Sequence, residues 1–431
     1  MNVEGLSKED ILTLASQTQF MKRKPKKIDP YYFLGLVCTL SVLDTPSFNS
    51  IAAKYSMDYN ILMSKQAISK KMKVECLEFF MSILALTINN RLKKTDVEKI
   101  LLVRGYRRVL VQDSTLIKLP LRLFDTFSGM RNLAASTCAA RIQGVYDIVS
   151  GSFLEFSIDP YSKNDLLAAP QLSICNNDLI LRDRGYFTID EVQRHIDAKA
   201  DYIFRFKAST LIRCPQTGKP INLVKLLKKK TNIDMEVCLN NKQRTIVRLV
   251  AIPVSDDIAN SRRANAKKKT NRSKQPSKSV LQLMSWTIFI TSISKENACS
   301  NKIFALYSLR WRIEIIFKAW KSHAAFSKIH NISEIHLRIL LTARFIMIVV
   351  FVHNVYTPCL PIIRSRYNSE ISLLKLFCFL TNNIEQLFVV LQFATRRNHC
   401  IAEKYLLKYC TYDKRKRTNF NQLLMTDSFL S

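Results

Sequence analysis

The chain has 431 residues, enough for two or three domains and a substantial core, and its 48% hydrophobic content is that of a folded protein. Lysine and arginine total 66 against 34 aspartate and glutamate, a formal charge of +32 spread along the whole length. That excess points to a polyanion partner, nucleic acid before an anionic membrane, and the absence of a GxxxxGK[ST] loop among only eight glycines excludes an ATP-binding P-loop, so no nucleotide cofactor is expected.

Residues 1 to about 95 read as a helical, DNA-binding N-terminal domain, with few glycines and apolar residues at three- and four-residue spacings. Residues 1–20 lack the charged start and apolar core of a secretory signal. Lys22 to Lys27 form a basic loop, followed by short helical patterns at Phe48 to Tyr55 and Ser64 to Met72. The second pattern, with Ser64 as N-cap, carries Lys65, Gln66, Ser69, Lys70 and Lys71. Two readings stand for it, a helix-turn-helix reader and a basic surface helix of a small bundle.

From Arg107 the pattern changes to strands, at Arg108 to Asp113, Thr115 to Leu119, Ile142 to Ile148 and Phe153 to Ile158. A further apolar strand at Asp178 to Asp183 precedes a helix starting near Thr188 or Asp190, and then a strand at Tyr202 to Phe206. Strands first adjacent and then separated by a helix predict a mixed α/β sheet over 96–207. Residues 208–295 read as a β-rich insertion, with strands at Glu236 to Leu239, Thr245 to Ile252 and Trp286 to Thr291. Inside it, Arg262 to Lys278 holds eight cations, among them Arg263, Lys267, Lys268 and Lys269, and no acid. That stretch reads as a solvated loop or as a phosphate-gripping arm. After Glu296 the chain turns helical, through a segment ending near 350 and a C-terminal region, 351–431, that suits dimerisation. The longest apolar run, Ile339 to Val352, is fourteen residues with Arg344 inside it, a buried helix and not a membrane span. Eleven cysteines with no two closer than ten positions give no CxxC site and fit free thiols in a reducing cytoplasm.

The segment Tyr307 to Lys321 carries the chemistry. On one helix at about 100° per residue, Tyr307, Arg310, Glu314 and Lys321 would fall within an arc of roughly 60°, beside an apolar stripe of Leu309, Ile313, Ile316 and Trp320. The plain reading is an amphipathic helix with an i,i+4 ion pair between Arg310 and Glu314. The chemical reading pairs Glu314 with Asp113 and Asp183, each closing an apolar strand where α/β sheets gather ligands, although either aspartate alone also suits a turn or a helix cap. Three carboxylates can hold two Mg²⁺ ions, the arrangement that in-line displacement at a phosphodiester needs. The six dispersed histidines offer no nucleophile and base pair.

Tyr307 to Lys321 matches Y-(2)-R-(3)-E-(6)-K and so resembles the signature of the IS-four family of bacterial insertion-sequence transposases. Gln112-Asp113-Ser114-Thr115 is similar to that family's first catalytic block and Asp183-Arg-Gly-Tyr-Phe187 to its second. The separations, 70 positions from Asp113 to Asp183 and 131 from Asp183 to Glu314, suit a β-rich insertion between the last two acids. The resemblance implies an RNase H-like core whose Asp113, Asp183 and Glu314 hold two Mg²⁺ ions, with Mn²⁺ able to substitute. It implies that Tyr307, Arg310 and Lys321 grip phosphates of the transposon end. It also places Trp286, 21 positions before Tyr307, where some relatives stack a flipped base; the alternative for Trp286 is a core side chain. Double-stranded DNA would be the substrate, a homodimer the synaptic form, and the bacterial cytoplasm, at the nucleoid, the location. An RNase H-like nuclease that cuts without joining, or a DNA-binding protein that has lost catalysis, are the rivals.

Overall fold

Serine or aspartate stands before each of the first four helices and accepts a hydrogen bond from their free N–H groups, so the N-terminal region is divided by its caps. These helices are α1 (Lys8–Gln17), α2 (Pro30–Leu43), α3 (Phe48–Tyr59) and α4 (Lys65–Lys71), and α5 (Val74–Lys93) follows. The computed structural model describes residues 7–23, 27–93, 105–132, 135–169, 172–228, 232–268, 275–384 and 396–412. Helix α3 ends at Asn60 in the left-handed conformation, and α4 begins five residues later under its Ser64 cap, as the sequence predicts. Lys65 and Lys70 of α4 are exposed, whereas the Lys71 ammonium donates to the Phe20 carbonyl at 2.8 Å and lies over the Phe20 ring.

The chain gathers into two units. One holds the N-terminal helices and the described parts of Ser114–Pro170 and Trp311–Asn421; the other holds the described parts of Lys99–Asp113 and Gln171–Arg310. Strand β1 (Arg108–Lys118) passes from the second unit into the first. It is one strand of 11 residues where the sequence suggested two, so Asp113 stands inside it and not at its end. In the first unit β2 (Ser128–Asn132), β3 (Ala135–Asp147) and β4 (Ser152–Pro160) follow, with β3 antiparallel to both neighbours. The β3–β4 turn needs Gly151, whose φ is +64°.

The second unit continues with β5 (Asp178–Arg182), α6 (Ile189–Asp197), β6 (Asp201–Arg205), β7 (Ile212–Arg213), α7 (Leu223–Leu227), β8 (Ile233–Leu239) and β9 (Ile246–Pro253). It closes with α8 (Asp256–Lys268), α9 (Lys278–Leu283), β10 (Trp286–Thr291) and α10 (Ser300–Ser308). The first half of β1, β5 and β6 run parallel, and β10, β9, β8 and β7 extend the sheet antiparallel from β6. Every residue of β5 is buried, the pattern of a parallel strand covered on both faces. The loop expected at Arg262 is helical as far as Lys268. Asp256 and Asp257 in the first turn of α8 and Lys267 and Lys268 in its last complement the helix dipole. Lys269 lies outside the described residues.

Back in the first unit come α11 (Trp311–His323), α12 (Glu334–Phe351), a π-helical turn at Val352–Tyr356, α13 (Thr357–Tyr367), α14 (Leu373–Asn382) and α15 (Arg396–Cys410). Among the described residues the continuous helix Glu334–Tyr367 is the one long and apolar enough to cross a membrane, with a mean hydropathy of 2.1, yet 89% of that window is buried within the protein. Beside α12, Phe156 of β4 stacks on Phe345 at 4.3 Å, and Trp320 of α11 packs against Phe153, Phe326 and Phe345. The fold is mixed α/β.

One expectation fails. Tyr307 to Lys321 is not a single helix: α10 stops at Ser308 and α11 starts at Trp311. Leu309 and Arg310 close the joint with N–H bonds to Leu306 and Tyr307, three residues back instead of four. The apolar side was read correctly, since Leu309, Ile313, Ile316 and Trp320 are at most 1% exposed.

Candidate active site

In the parallel ladder Gln112 of β1 faces Arg182 of β5, and Arg182 faces Phe204 of β6. One position further on, Asp113, Asp183 and Arg205 therefore line up across three neighbouring strands, with side chains on the face opposite Gln112 and Arg182. Asp183 has left β5 but keeps an extended backbone at φ −77°, ψ 168°. Two aspartates 70 residues apart in sequence thus become lateral neighbours through strand register alone.

Helix α10 covers this row. Phe289 of β10 is the ladder partner of Arg205, and the Tyr307 ring packs on Phe289 with centroids 4.7 Å apart. From there the Tyr307 hydroxyl donates to Asp183 Oδ1 at 3.4 Å. Burial raises the Tyr307 pKa, with the Arg310 guanidinium opposing and Asp183 adding to the rise, so the phenol keeps its proton at neutral pH. At the joint after α10, Arg310 Nη1 donates to Asp113 Oδ2 at 2.8 Å, and the Arg310 guanidinium lies over the Tyr307 ring at 5.6 Å. Arg310 is 5% exposed, so this is a charge-assisted contact shielded from water.

Beside Asp183 opens a cleft of about 350 Å³, lined among others by Arg184, Arg205, Arg262, Met284 and Trp286. Burial lowers the Arg262 pKa, and the Arg205 and Arg184 guanidiniums lower it further, so three like charges crowd one wall. Arg262 also donates to the Trp286 carbonyl at 3.2 Å and to Thr287 Oγ1 at 3.2 Å. Arg263 turns inward instead, donating to the Leu281 carbonyl at 3.2 Å and to Ser285 Oγ. Together the two arginines fix the corner from which β10 begins at Trp286. Lys267 and Lys268 are exposed on the last turn of α8.

The structure thus brings Asp113, Asp183, Tyr307 and Arg310 together, and sets Trp286 and Arg262 in the cleft next to Asp183. Glu314 and Lys321 sit on α11 in the first unit, both partly exposed, with burial lowering the Lys321 pKa. Among the described residues no group of three His, Cys, Asp or Glu side chains is gathered as a metal cluster. The donor set of Asp113 and Asp183, paired carboxylates at one strand register, nevertheless has the hard oxygen chemistry that suits Mg²⁺. Arg184 and Arg205 escaped the sequence reading. Arg205 was available to it, because counting register from Asp183 across the predicted strand at Tyr202 to Phe206 leads to that residue.

Residues 105–350, more than half of the sequence, match the family described as Transposase DDE domain. The chain belongs to this family. Its relatives include the transposase of insertion sequence element IS1151 from Clostridium perfringens, 27% identical over 99% of this chain and 96% of the relative. They also include the transposase of IS231B from Bacillus thuringiensis subsp. berliner, 23% identical over 78% of this chain and 75% of the relative, and that of IS231D from subsp. finitimus, 26% identical over 78% and 74%. A solved piggyBac transposase synaptic complex with hairpin DNA aligns with a TM-score of 0.44 at 10% identity, over 96% of this chain and 84% of that one, a likeness too distant to carry a conclusion. The protein is an insertion-sequence DDE transposase, an enzyme that cuts and transfers DNA strands.

Proposed function

We propose that Asp113, Asp183 and Glu314 are the catalytic carboxylates of this transposase, acting on duplex DNA at the terminal inverted repeats of its own element. The observation that carries the reading is the ladder register that makes Asp113 and Asp183 neighbours beneath Tyr307 and Arg310. Divalent cations, Mg²⁺ or Mn²⁺, would supply charge neutralisation and water activation at these oxygens. The chain's own residues do the rest. Arg310 and Tyr307 orient the acids and meet the phosphates flanking the scissile bond, while Lys321 adds a cation from α11. Arg184, Arg205 and Arg262 line a cleft in which a phosphate would relieve their mutual repulsion. Trp286 offers a ring face there for an unpaired base. The RNase H-like core, the synaptic homodimer, a location at the bacterial nucleoid and the reading of DNA by α4 through Lys65, Gln66 and Lys70 belong to the same proposal.

The test uses a duplex carrying the inverted repeat that adjoins the coding sequence. Substituting Asp113, Asp183 or Glu314 by Ala should abolish metal-dependent cleavage and leave duplex binding near the wild-type level. Normal cleavage in any one variant removes that residue from the triad.

A further inference from the structure

Behind Asp183, on the opposite face of the sheet, lies a charged pair that the reaction does not use. Arg182 is 1% exposed, and its Nη1 donates to Glu191 Oε2 at 2.5 Å, an oxygen that the more exposed Arg194 of the same helix also reaches at 3.3 Å. Glu191 is in the first turn of α6, where its own N–H donates to the Thr188 cap at 3.2 Å, so the carboxylate sits on a fixed helix start. The same Arg182 guanidinium lies 5.8 Å from the ring of Tyr186, in the tight turn Arg184–Tyr186 that begins immediately after Asp183. Burying an ion pair carries a desolvation cost that apolar side chains of equal volume avoid, so stability alone does not account for this pair.

Asp183 needs outside support. Ladder pairing ends at Arg182, the following turn has no side-chain cap from Asp183, and the hydrogen bond from Tyr307 is long at 3.4 Å. We infer that Arg182, Glu191 and Tyr186 form a clamp that positions Asp183, holding the last paired residue before it to α6 and the turn after it to the same guanidinium. These are positioning residues; none touches the reacting atoms. The inference rests on the assignment of Asp183 as a catalytic carboxylate.

The deciding experiment replaces both charges at once, Arg182→Met with Glu191→Leu, in the full-length chain. The expected result is a melting temperature close to wild type, unchanged duplex affinity, and kcat for end cleavage lower by about 10- to 100-fold, the usual effect of losing outer support at a metal site. Mn²⁺ titrated into the protein–DNA complex and followed by electron paramagnetic resonance should bind more weakly by a similar factor. Wild-type kcat and Mn²⁺ affinity in this variant would overturn the clamp. Should the double variant not fold, Glu191→Asp keeps the charge and withdraws the carboxylate by one methylene; it should lower kcat and Mn²⁺ affinity in the same direction, and wild-type values there overturn the clamp equally. Asp183→Asn is measured alongside: normal cleavage by that variant refutes the role of Asp183 itself, whereas a dead Asp183→Asn beside a normal double variant refutes the clamp alone.

Discussion

Trp286 shows how one side chain is given two neighbours of different kinds. Its carbonyl is held by Arg262, while the residue lines a cleft shared with Asp183 and three arginines. It is partly exposed, although the next five residues of β10 are buried. Trp286→Ala should therefore weaken binding of a DNA end by about 1–3 kcal/mol, the range for losing one base-stacking platform, and Trp286→Phe should recover most of it. Fluorescence anisotropy with labelled duplex ends checks this, and equal affinity of the alanine variant would return Trp286 to a packing role. Arg263 is a different case. Its hydrogen bonds to Leu281 and Ser285 hold α9, so Arg263→Ala should lower stability more than DNA affinity.

At the scale of elements, sequence periodicity served best where a strand or helix is set by its own residues. The predicted Trp286 to Thr291 strand is β10 to the residue, and the Ser64 cap starts α4. The break at Leu309 and Arg310 was not legible because no proline or glycine marks it and the apolar spacing of Leu309, Ile313 and Ile316 runs straight through. What accompanies it is tertiary, the Arg310 contact with Asp113, 197 residues away in sequence. The grouping of Asp113 with Asp183 was legible in part, since an apolar run followed by aspartate occurs twice in the sequence, although β1 continues through Asp113. Its precise neighbours were not, because strand register decides them and a single sequence does not display register.

Another long-range arginine shows how elements are held. Arg344, fully buried on α12, donates to the Ser41 carbonyl at 2.7 Å and the Asp44 carbonyl at 3.0 Å, closing the C-terminal end of α2. Arg344→Met keeps the apolar stem but leaves these carbonyls without that donor. It should cost about 1–3 kcal/mol in urea unfolding, and the loss is expected to be partial because a buried charge disappears with the donor. Unchanged stability would mean that the end of α2 finds other donors.

For the molecule as a whole, charge and acid sensitivity follow from different residues. A formal charge of +32 means that DNA affinity should fall steeply with salt; if 6–10 phosphates are contacted, about 10³–10⁵-fold is lost between 50 and 200 mM. Acid stability should depend on two of the buried histidines, His195 in the second unit and His336 in the first. Burial pushes His195 down to about 3, where its Nδ1 donates to the Glu191 carbonyl, and pushes His336 down to about 4, where it stacks on Phe48. Both are neutral when folded and titrate near 6.5 when unfolded. Between those values the unfolded chain binds more protons, so stability rises with pH there. It is complete above about pH 6.5 and declines on acidification, by about 1.4 kcal/mol per pH unit for each histidine in the steepest range. Urea midpoints measured from pH 7 to pH 4.5 should drop along that slope, and a variant carrying His195→Gln and His336→Gln should lose most of the drop between pH 6.5 and 5, above the carboxylate range. A double variant with the wild-type slope would place the acid trigger in other groups.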